Sequence, residues 1–406
     1  MNVLQINTVY GRGSTGKIAL AIHDTCRLKG IDCLSAYRYE EKGDRYPDTL
    51  AISSWLDCHA HNRLARYSLL QGCFSLLHTA AFLRKLHKKD IQVIHLHNLH
   101  GSYVNLPLLF RYIKKNKVRV IWTLHDCWAF TGFCPHFQMA SCEKWRTDCH
   151  NCPQFGSDPH HLLDSSRLMY RMKKKWFTGV EDMTLVTPSQ WLADLVNQSF
   201  LRDYPVRVIH NGIDLTVFRP RESDFRLRYG ISPDKKLLLG VAFDWGPRKG
   251  LDVFVKLAKR LDDSYQILLV GTDEGIDKQL PDNILSIHRT QNQQELAEIY
   301  SAADLFVNPT REDNYPTVNM EALACGTPVL TFRTGGSPEI PDETCGSVVE
   351  KDDVDAMEKE IIRICRDEPY SKEACLKRAE CFDMNLKFKE YVQLYEDRTY
   401  CAQRSL

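Results

Sequence analysis

Between Arg311 and Val329 the chain reads REDNYPTVNMEALACGTPV, and two of its acids, Asp313 and Glu321, stand with seven residues between them. A buried-strand signal, Asp304 to Pro309, precedes them and a helical one, Val318 to Ala324, follows, so the pair straddles a strand-to-helix turn. Pro316, with Thr317, suits the first turn of that helix, because proline has no N–H to lose there and its φ is preset. The free N–H groups and positive dipole end of such a helix favour phosphate or another anion. A carboxylate beside an anion is electrostatically unfavourable unless it has a separate task, and binding sugar hydroxyls is such a task. An acid-decorated helix start is the bland alternative.

Three further groups invite chemistry. His125 closes the apolar run Val118 to Leu124, and a strand-end histidine can hydrogen-bond a ligand; a core histidine satisfied by backbone is the other reading. Asp126 is next to it, placed to orient the ring or an acceptor, and His95 and His97, two apart in a strand, share a face, with His97-Asn98 expected to be a strand end opening on a cleft. Gly11-Arg12-Gly13-Ser14-Thr15-Gly16-Lys17 has the glycine and lysine spacing of a phosphate-cradling loop, yet Ile18 stands where a hydroxyl should hold Mg²⁺. Gly13 and Gly16 can still approach a diphosphate without metal. Cys134, Cys142, Cys149 and Cys152 crowd one insertion, about 127–160, where a structural zinc is expected slightly ahead of free thiols.

The elements that must position these residues alternate, strand then helix, along the whole chain, which points to parallel sheets in an α/β architecture. Apolar runs at Val3–Asn7, Val93–Leu96, Val118–Leu124, Thr184–Thr187 and Val206–Ile209 form one series; Leu237–Phe243, Gln266–Val270, Leu305–Val307 and Pro328–Phe332 form a second. A break near Asn211-Gly212-Ile213-Asp214 separates them, giving one domain over 1–215 and a second over 216–406, whose terminal helix is expected to pack back on the first.

The acid pair, followed by Ala322-Leu323-Ala324-Cys325-Gly326-Thr327-Pro328-Val329 and then Gly335-Gly336, resembles the signature of the retaining nucleotide-sugar glycosyltransferases of family 4. The resemblance implies the GT-B fold, two Rossmann-like domains facing an interdomain cleft, and a hexosyl or deoxyhexosyl residue taken from a UDP- or GDP-linked donor. In its terms Asp313, where the family has Glu, contacts the transferred sugar, with Glu312 the other candidate, and Glu321 binds the nucleotide ribose. Thr317 and Gly335 belong to the donor site, and Gly13 and Gly16 lie beneath the donor phosphates. Lys249 resembles the diphosphate-binding lysine; the family's arginine, five residues earlier, falls on Asp244, so Arg248 becomes the candidate replacement. Thr123-Leu124-His125-Asp126 resembles the active-site histidine segment, and the cysteine insertion after it resembles that of colanic-acid-type bacterial exopolysaccharide enzymes. Such enzymes imply a lipid-diphosphate-linked glycan acceptor and need no cofactor or divalent metal for catalysis. A degenerate P-loop NTPase and a non-catalytic sugar-binding relative are the other readings.

Composition sets the outer limits. With 406 residues, 43% hydrophobic and 26% charged, the chain suffices for two cores, and its near-neutral charge of +1 disfavours a nucleic-acid binder. Fifteen cysteines without a signal-peptide pattern suggest a reducing, cytoplasmic setting. The balance hides an asymmetry, 27 basic against 18 acidic residues over 1–215 and 26 against 34 beyond. Basic stretches at 110–117 and 167–177, interleaved with apolar residues such as Trp176 and Phe177, suggest peripheral attachment to an anionic membrane surface, the inner face of the cytoplasmic membrane. A solvated helix face is the plainer reading of each.

Overall fold

The computed structural model describes residues 1–39, 46–155 and 163–397, so the end of the cysteine insertion and the last nine residues lie outside it. The chain divides into two compact units, residues 1–210 joined by the stretch from Phe388, and residues 211–387.

In the first unit the elements run β1 (Asn2–Ile6), α1 (Gly13–Leu28), β2 (Asp32–Tyr37), β3 (Thr49–Ala51), α2 (Trp55–Ser68), α3 (Leu76–Leu86), β4 (Val93–Leu96), α4 (Leu106–Asn116), β5 (Arg119–Thr123), α5 (Ser166–Phe177), β6 (Met183–Thr187), α6 (Gln190–Asn197) and β7 (Val206–Val208). The second unit holds α7 (Phe225–Arg228), β8 (Lys236–Val241), α8 (Leu251–Arg260), β9 (Tyr265–Val270), α9 (Glu274–Asp277), β10 (Ile284–Ile287), α10 (Gln293–Ala302), β11 (Leu305–Asn308), α11 (Thr317–Ala324), β12 (Val329–Phe332), β13 (Gly346–Val349), α12 (Val354–Asp367) and α13 (Lys372–Ala379). The last helix, α14 (Met384–Glu396), begins in the second unit and ends in the first.

Both sheets are wholly parallel, ordered β3-β2-β1-β4-β5-β6-β7 and β10-β9-β8-β11-β12-β13. Strands buried on both faces by crossover helices read as continuous apolar runs, as the last four residues of β9 (ILLV) do, every one of them buried. The expected α/β class is therefore the observed one. The strands β2, β3, β10 and β13 were not among the expected runs. In each sheet the strand order reverses beside its first strand, between β1 and β4 and between β8 and β11, and the carboxyl ends there are where such sheets bind ligands.

The two basic stretches are corrected by packing. Phe110 and Ile113 on α4 and Phe177 on α5 are core, and Lys173 is fully buried. An amphipathic helix with its apolar stripe turned inward has only its polar side left for a surface.

Candidate active site

At the second switch point β8 ends and the chain turns through Phe243 to Gly250 into α8, while β11 ends and turns through Pro309 to Pro316 into α11. Lys249, from the first loop, donates to Asp313, from the second, at 2.5 Å, with both side chains mostly buried (17% and 21% exposed). Arg248 donates to the backbone oxygen of Glu312 at 3.2 Å. Glu312 itself is buried, whereas the Asp313 carboxylate is aimed at the lysine, which distinguishes the two candidate acids.

Arg311, which carried no signal in sequence, ties the loops together. Its guanidinium meets Asp252 through two bonds of 2.7 and 2.9 Å, Asp352 at 2.5 Å and the Pro247 oxygen at 2.5 Å. Its backbone N–H donates to Arg248 O at 2.8 Å. A planar fork meeting a carboxylate in two places adds geometry as well as energy, so the loop bearing Lys249 is fixed against the loop bearing Asp313.

Gly335 supports Asp313 from behind. Its φ is +54°, and a Cβ there would lie 1.7 Å from the Asp313 oxygen. Its place is a close backbone approach, open only to glycine. Helix α11 starts at Thr317 with Pro316 as its N-cap, one residue outside the turn expected for the proline. Glu321, one turn along from Thr317, accepts from Tyr300 Oη at 3.1 Å. Burial, then the neighbouring Glu321, holds the Tyr300 hydroxyl well above its usual range, so it remains a donor to the carboxylate. Asp244 and Phe243 are exposed, so no side chain from the family's arginine position joins the ion pair.

The first unit assembles a second set. In register Gln5 lies opposite His95, and His95 opposite Ile121, so side chains two residues further along continue on one face. That face carries four rings or amides in sequence. His97 Nδ1 is 3.1 Å from His125 Nε2, and His97 Nε2 is 3.0 Å from Gln5 Oε1. His95 contacts Thr123 Oγ1 at 2.8 Å and Tyr395 Oη of α14 at 2.6 Å. Burial lowers all three imidazoles, His95 to about 3, His125 to about 4 and His97 well below its ordinary value, so they are neutral near pH 7. His97, expected at a strand end opening on the cleft, is buried and bonded at both nitrogens, so its ring serves its neighbours. Asp126 orients a different histidine from the one expected. It bonds His100 Nε2 at 2.9 Å and the Trp128 N–H at 2.8 Å. Burial alone would raise its carboxyl, but the His100 ring and the Trp128 N–H more than offset this and hold it low.

The glycine loop of the first unit is a tight turn: Gly11 N–H donates to Gly16 O at 3.0 Å, and a Cβ on Gly16 would stand 3.2 Å from Val9. Gly13 has φ +61° at the first turn of α1 with nothing within 4 Å of a Cβ, so it is the one of the two with open space beside it. Ile18 is core. The position where a P-loop carries its metal-binding hydroxyl therefore faces the core.

Cys134, Cys142, Cys149 and Cys152 line one small cavity with Phe133, Phe137 and Trp145. Among the described residues no group of three or more His, Cys, Asp or Glu side chains is placed to hold a metal ion, so the zinc expectation finds no ligand set. The cavity is walled by apolar rings, and burial raises the thiols of Cys134 and Cys149 to about 11 and about 12, favouring S–H over thiolate. What braces the insertion is Lys173. It donates to Trp128 O at 2.7 Å and Thr131 O at 3.2 Å and lies 3.5 Å from the centre of the Trp128 ring.

Comparison with known proteins accords with this geometry. The family model described as Glycosyltransferase Family 4 matches residues 40–217, and that described as Glycosyl transferases group 1 matches residues 235–367. The chain is 26% identical over 370 residues, 87% of its length and 88% of the other's, to the Escherichia coli (strain K12) protein WcaC, named for glycosyl transfer in colanic acid biosynthesis. Its fold is shared with sucrose-phosphate synthase from Thermosynechococcus elongatus, at a TM-score of 0.70, 19% identity and 99% coverage of each chain. It is shared also with Anabaena Alr3699/HepE in complex with UDP, at 0.69, 13% identity, and 98% and 100% coverage. With matching family models on both halves and two parallel-sheet α/β units, the chain belongs to the family 4 glycosyltransferases of GT-B fold.

Proposed function

We propose that this chain transfers a hexosyl or deoxyhexosyl residue, with retention, from a UDP- or GDP-linked donor to a lipid-diphosphate-linked glycan in exopolysaccharide or capsule assembly. The observation that carries the reading is the Lys249–Asp313 pair at the β8/β11 switch point. A diphosphate arriving beside Lys249 competes with Asp313 for the ammonium and draws further positive potential from Arg248 and the start of α11. Asp313, released from that bond, accepts from hydroxyls of the transferred sugar, and Glu321 on α11 accepts from the ribose. As the glycosidic bond to the donor breaks, negative charge grows on the leaving diphosphate, which takes the proton of the incoming acceptor hydroxyl on the same face. Protein charges stabilise that leaving group, so turnover is expected to persist in EDTA.

UDP is the first donor nucleotide to test, since Alr3699/HepE of like fold has been solved with UDP and with UDP-glucose. Calorimetry with UDP and GDP at matched concentration tests the donor site, and NMR of the first-formed sugar product tests retention. An inverted anomer, or no binding of either nucleotide, would overturn the reading.

The acceptor reading adds a membrane surface, and the exposed apolar residues favour α2 and α3 as the face that meets it. Leu56, Leu64 and Tyr67 on α2 and Leu76 and Leu77 on α3 are exposed, Leu77 at 79%. Between residues 58 and 89 stand Arg63, Arg66, Arg84, Lys85, Lys88 and Lys89 and no Asp or Glu. Apolar side chains among basic ones match an anionic bilayer interface, to which each cation contributes up to about 1 kcal/mol. Among the described residues no helix is long and apolar enough to cross a membrane.

A further inference from the structure

One atom in the histidine cluster has a role that admits no choice. The Ala19 carbonyl oxygen on α1 can only accept a hydrogen bond, and Gln5 Nε2 approaches it at 3.1 Å. The amide of Gln5 must therefore turn its NH₂ toward α1, where it also meets Cys33 Sγ at 3.4 Å, and its Oε1 toward His97. An amide oxygen accepts only, so the proton between them sits on His97 Nε2. His97 is neutral and fully buried, hence its Nδ1 carries a lone pair, and the contact of 3.1 Å with His125 Nε2 requires that His125 supply the proton. Three bonds thus run in one direction, His125 to His97 to Gln5 to Ala19.

We infer that Gln5 and His97 are positioning residues that fix the tautomer of His125, holding its proton on Nε2 and leaving Nδ1 as a hydrogen-bond acceptor. A neutral imidazole has one donor and one acceptor nitrogen, and which is which follows from the bond the other nitrogen makes. This chain of bonds selects between the two tautomers of His125. With it, His125 meets a ligand as an acceptor, suited to a sugar hydroxyl and unsuited to a phosphate oxygen. The link also joins His125 to α1, the helix that follows the glycine loop, through side chains 28 and 92 residues apart in sequence. The inference concerns the ring's protonation and rests on the proposed role of His125 only for its consequence in transfer.

The test is long-range proton–nitrogen NMR on the full chain labelled with ¹⁵N-histidine, the His125 nitrogens assigned through His125→Asn. The parent should show one tautomer at His125, protonated at Nε2. Gln5→Leu, which removes the acceptor for His97, should bring the two His125 nitrogen shifts toward an average, while Gln5→Glu, buried in its protonated form so that its O–H donates to Ala19 O and its C=O accepts from His97, should restore the parent pattern. His97→Phe keeps a ring in place without the acceptor nitrogen and should act as Gln5→Leu does. A parent His125 protonated at Nδ1 would overturn the relay without any variant. So would His125 shifts unchanged in a folded Gln5→Leu or His97→Phe protein. Hydrolysis of UDP-glucose separates the two ideas: a tautomer that responds as expected while turnover does not leaves the relay standing and removes His125 from the transfer step.

Discussion

Lys173 provides a direct physical test of the first unit. The side chain is fully buried on α5, and burial, partly opposed by Cys134, Cys149 and Asp126, lowers its amine from 10.5 to about 7. In the unfolded chain the amine keeps its proton up to its ordinary value, so between pH 7 and 10.5 the unfolded state binds more protons. Stability must then rise with pH through that window. At about 1.4 kcal/mol per unit, the cost of burying the charge is on the order of 5 kcal/mol below pH 7 and falls to about 2 kcal/mol at pH 9. The change between pH 7 and pH 9 is therefore about 2 kcal/mol. The two carbonyl bonds and the Trp128 face favour the charged form, which makes this an upper value. Lys173→Met removes the titration and also leaves the Trp128 and Thr131 carbonyls without this donor, so its absolute stability mixes two effects of opposite sign. Its pH dependence isolates one. Cys134 and Cys149, which Lys173 lowers from still higher values, stay S–H in the folded state of both proteins over this range, so the difference in melting temperature between parent and Lys173→Met should shift in the parent's favour by about 4–8 °C from pH 7 to pH 9, at roughly 2–4 °C per kcal/mol for a unit of this size. Parallel melting curves across that range would refute the reasoning and mean that the buried amine is neutral or charged throughout.

The remaining outcomes concern the ligand sites. Glu321→Ala should weaken UDP or GDP binding by about 1.5–3 kcal/mol, the worth of a hydrogen bond to a charged group, whereas Asp313→Ala should keep nucleotide affinity and lose turnover; calorimetry showing both variants bind like the parent would remove Glu321 from the ribose. Lys249→Ala should cost about 100-fold or more in rate and exceed Arg248→Ala, because Lys249 projects to Asp313 while Arg248 is engaged by a backbone oxygen; equal small losses would place the diphosphate elsewhere. In vesicle co-sedimentation, Leu56→Ser with Leu77→Ser should reduce binding to anionic vesicles and Lys174→Gln with Lys175→Gln should change it little; the reverse ranking would return the membrane face to α5.

Legibility tracked distance along the chain. The acids of the β11–α11 turn, the Lys249 loop and the strand-end His125 were readable because each is a local pattern, a buried run meeting a helix start, and strand ends in parallel sheets are where ligands bind. Arg311 escaped notice although it stands next to Glu312, since its partners Asp252 and Asp352 become neighbours only when two loops meet. The stretch 167–177 misled for a related reason. Spacing marks a helix with a basic side, but only the packing of α5 beneath the Trp128 turn decides that Lys173 points inward while Lys174 and Lys175 face solvent.

By itself, the sequence determined the alternation of strand and helix, the break near Asn211 and the residue types at the carboxyl ends of the strands. These follow from short-range sterics and from the periodicity of burial. Tertiary structure alone decided which of those residues meet. The sheet sets β1, β4 and β5 side by side although helices and loops separate them in the chain, and so brings Gln5, His97 and His125 into one line of hydrogen bonds. The same closure buries the rings, and burial makes them neutral. A lone pair and a proton can be assigned to particular nitrogens only once water is excluded and the partners are known, and neither condition is written in any local stretch of sequence.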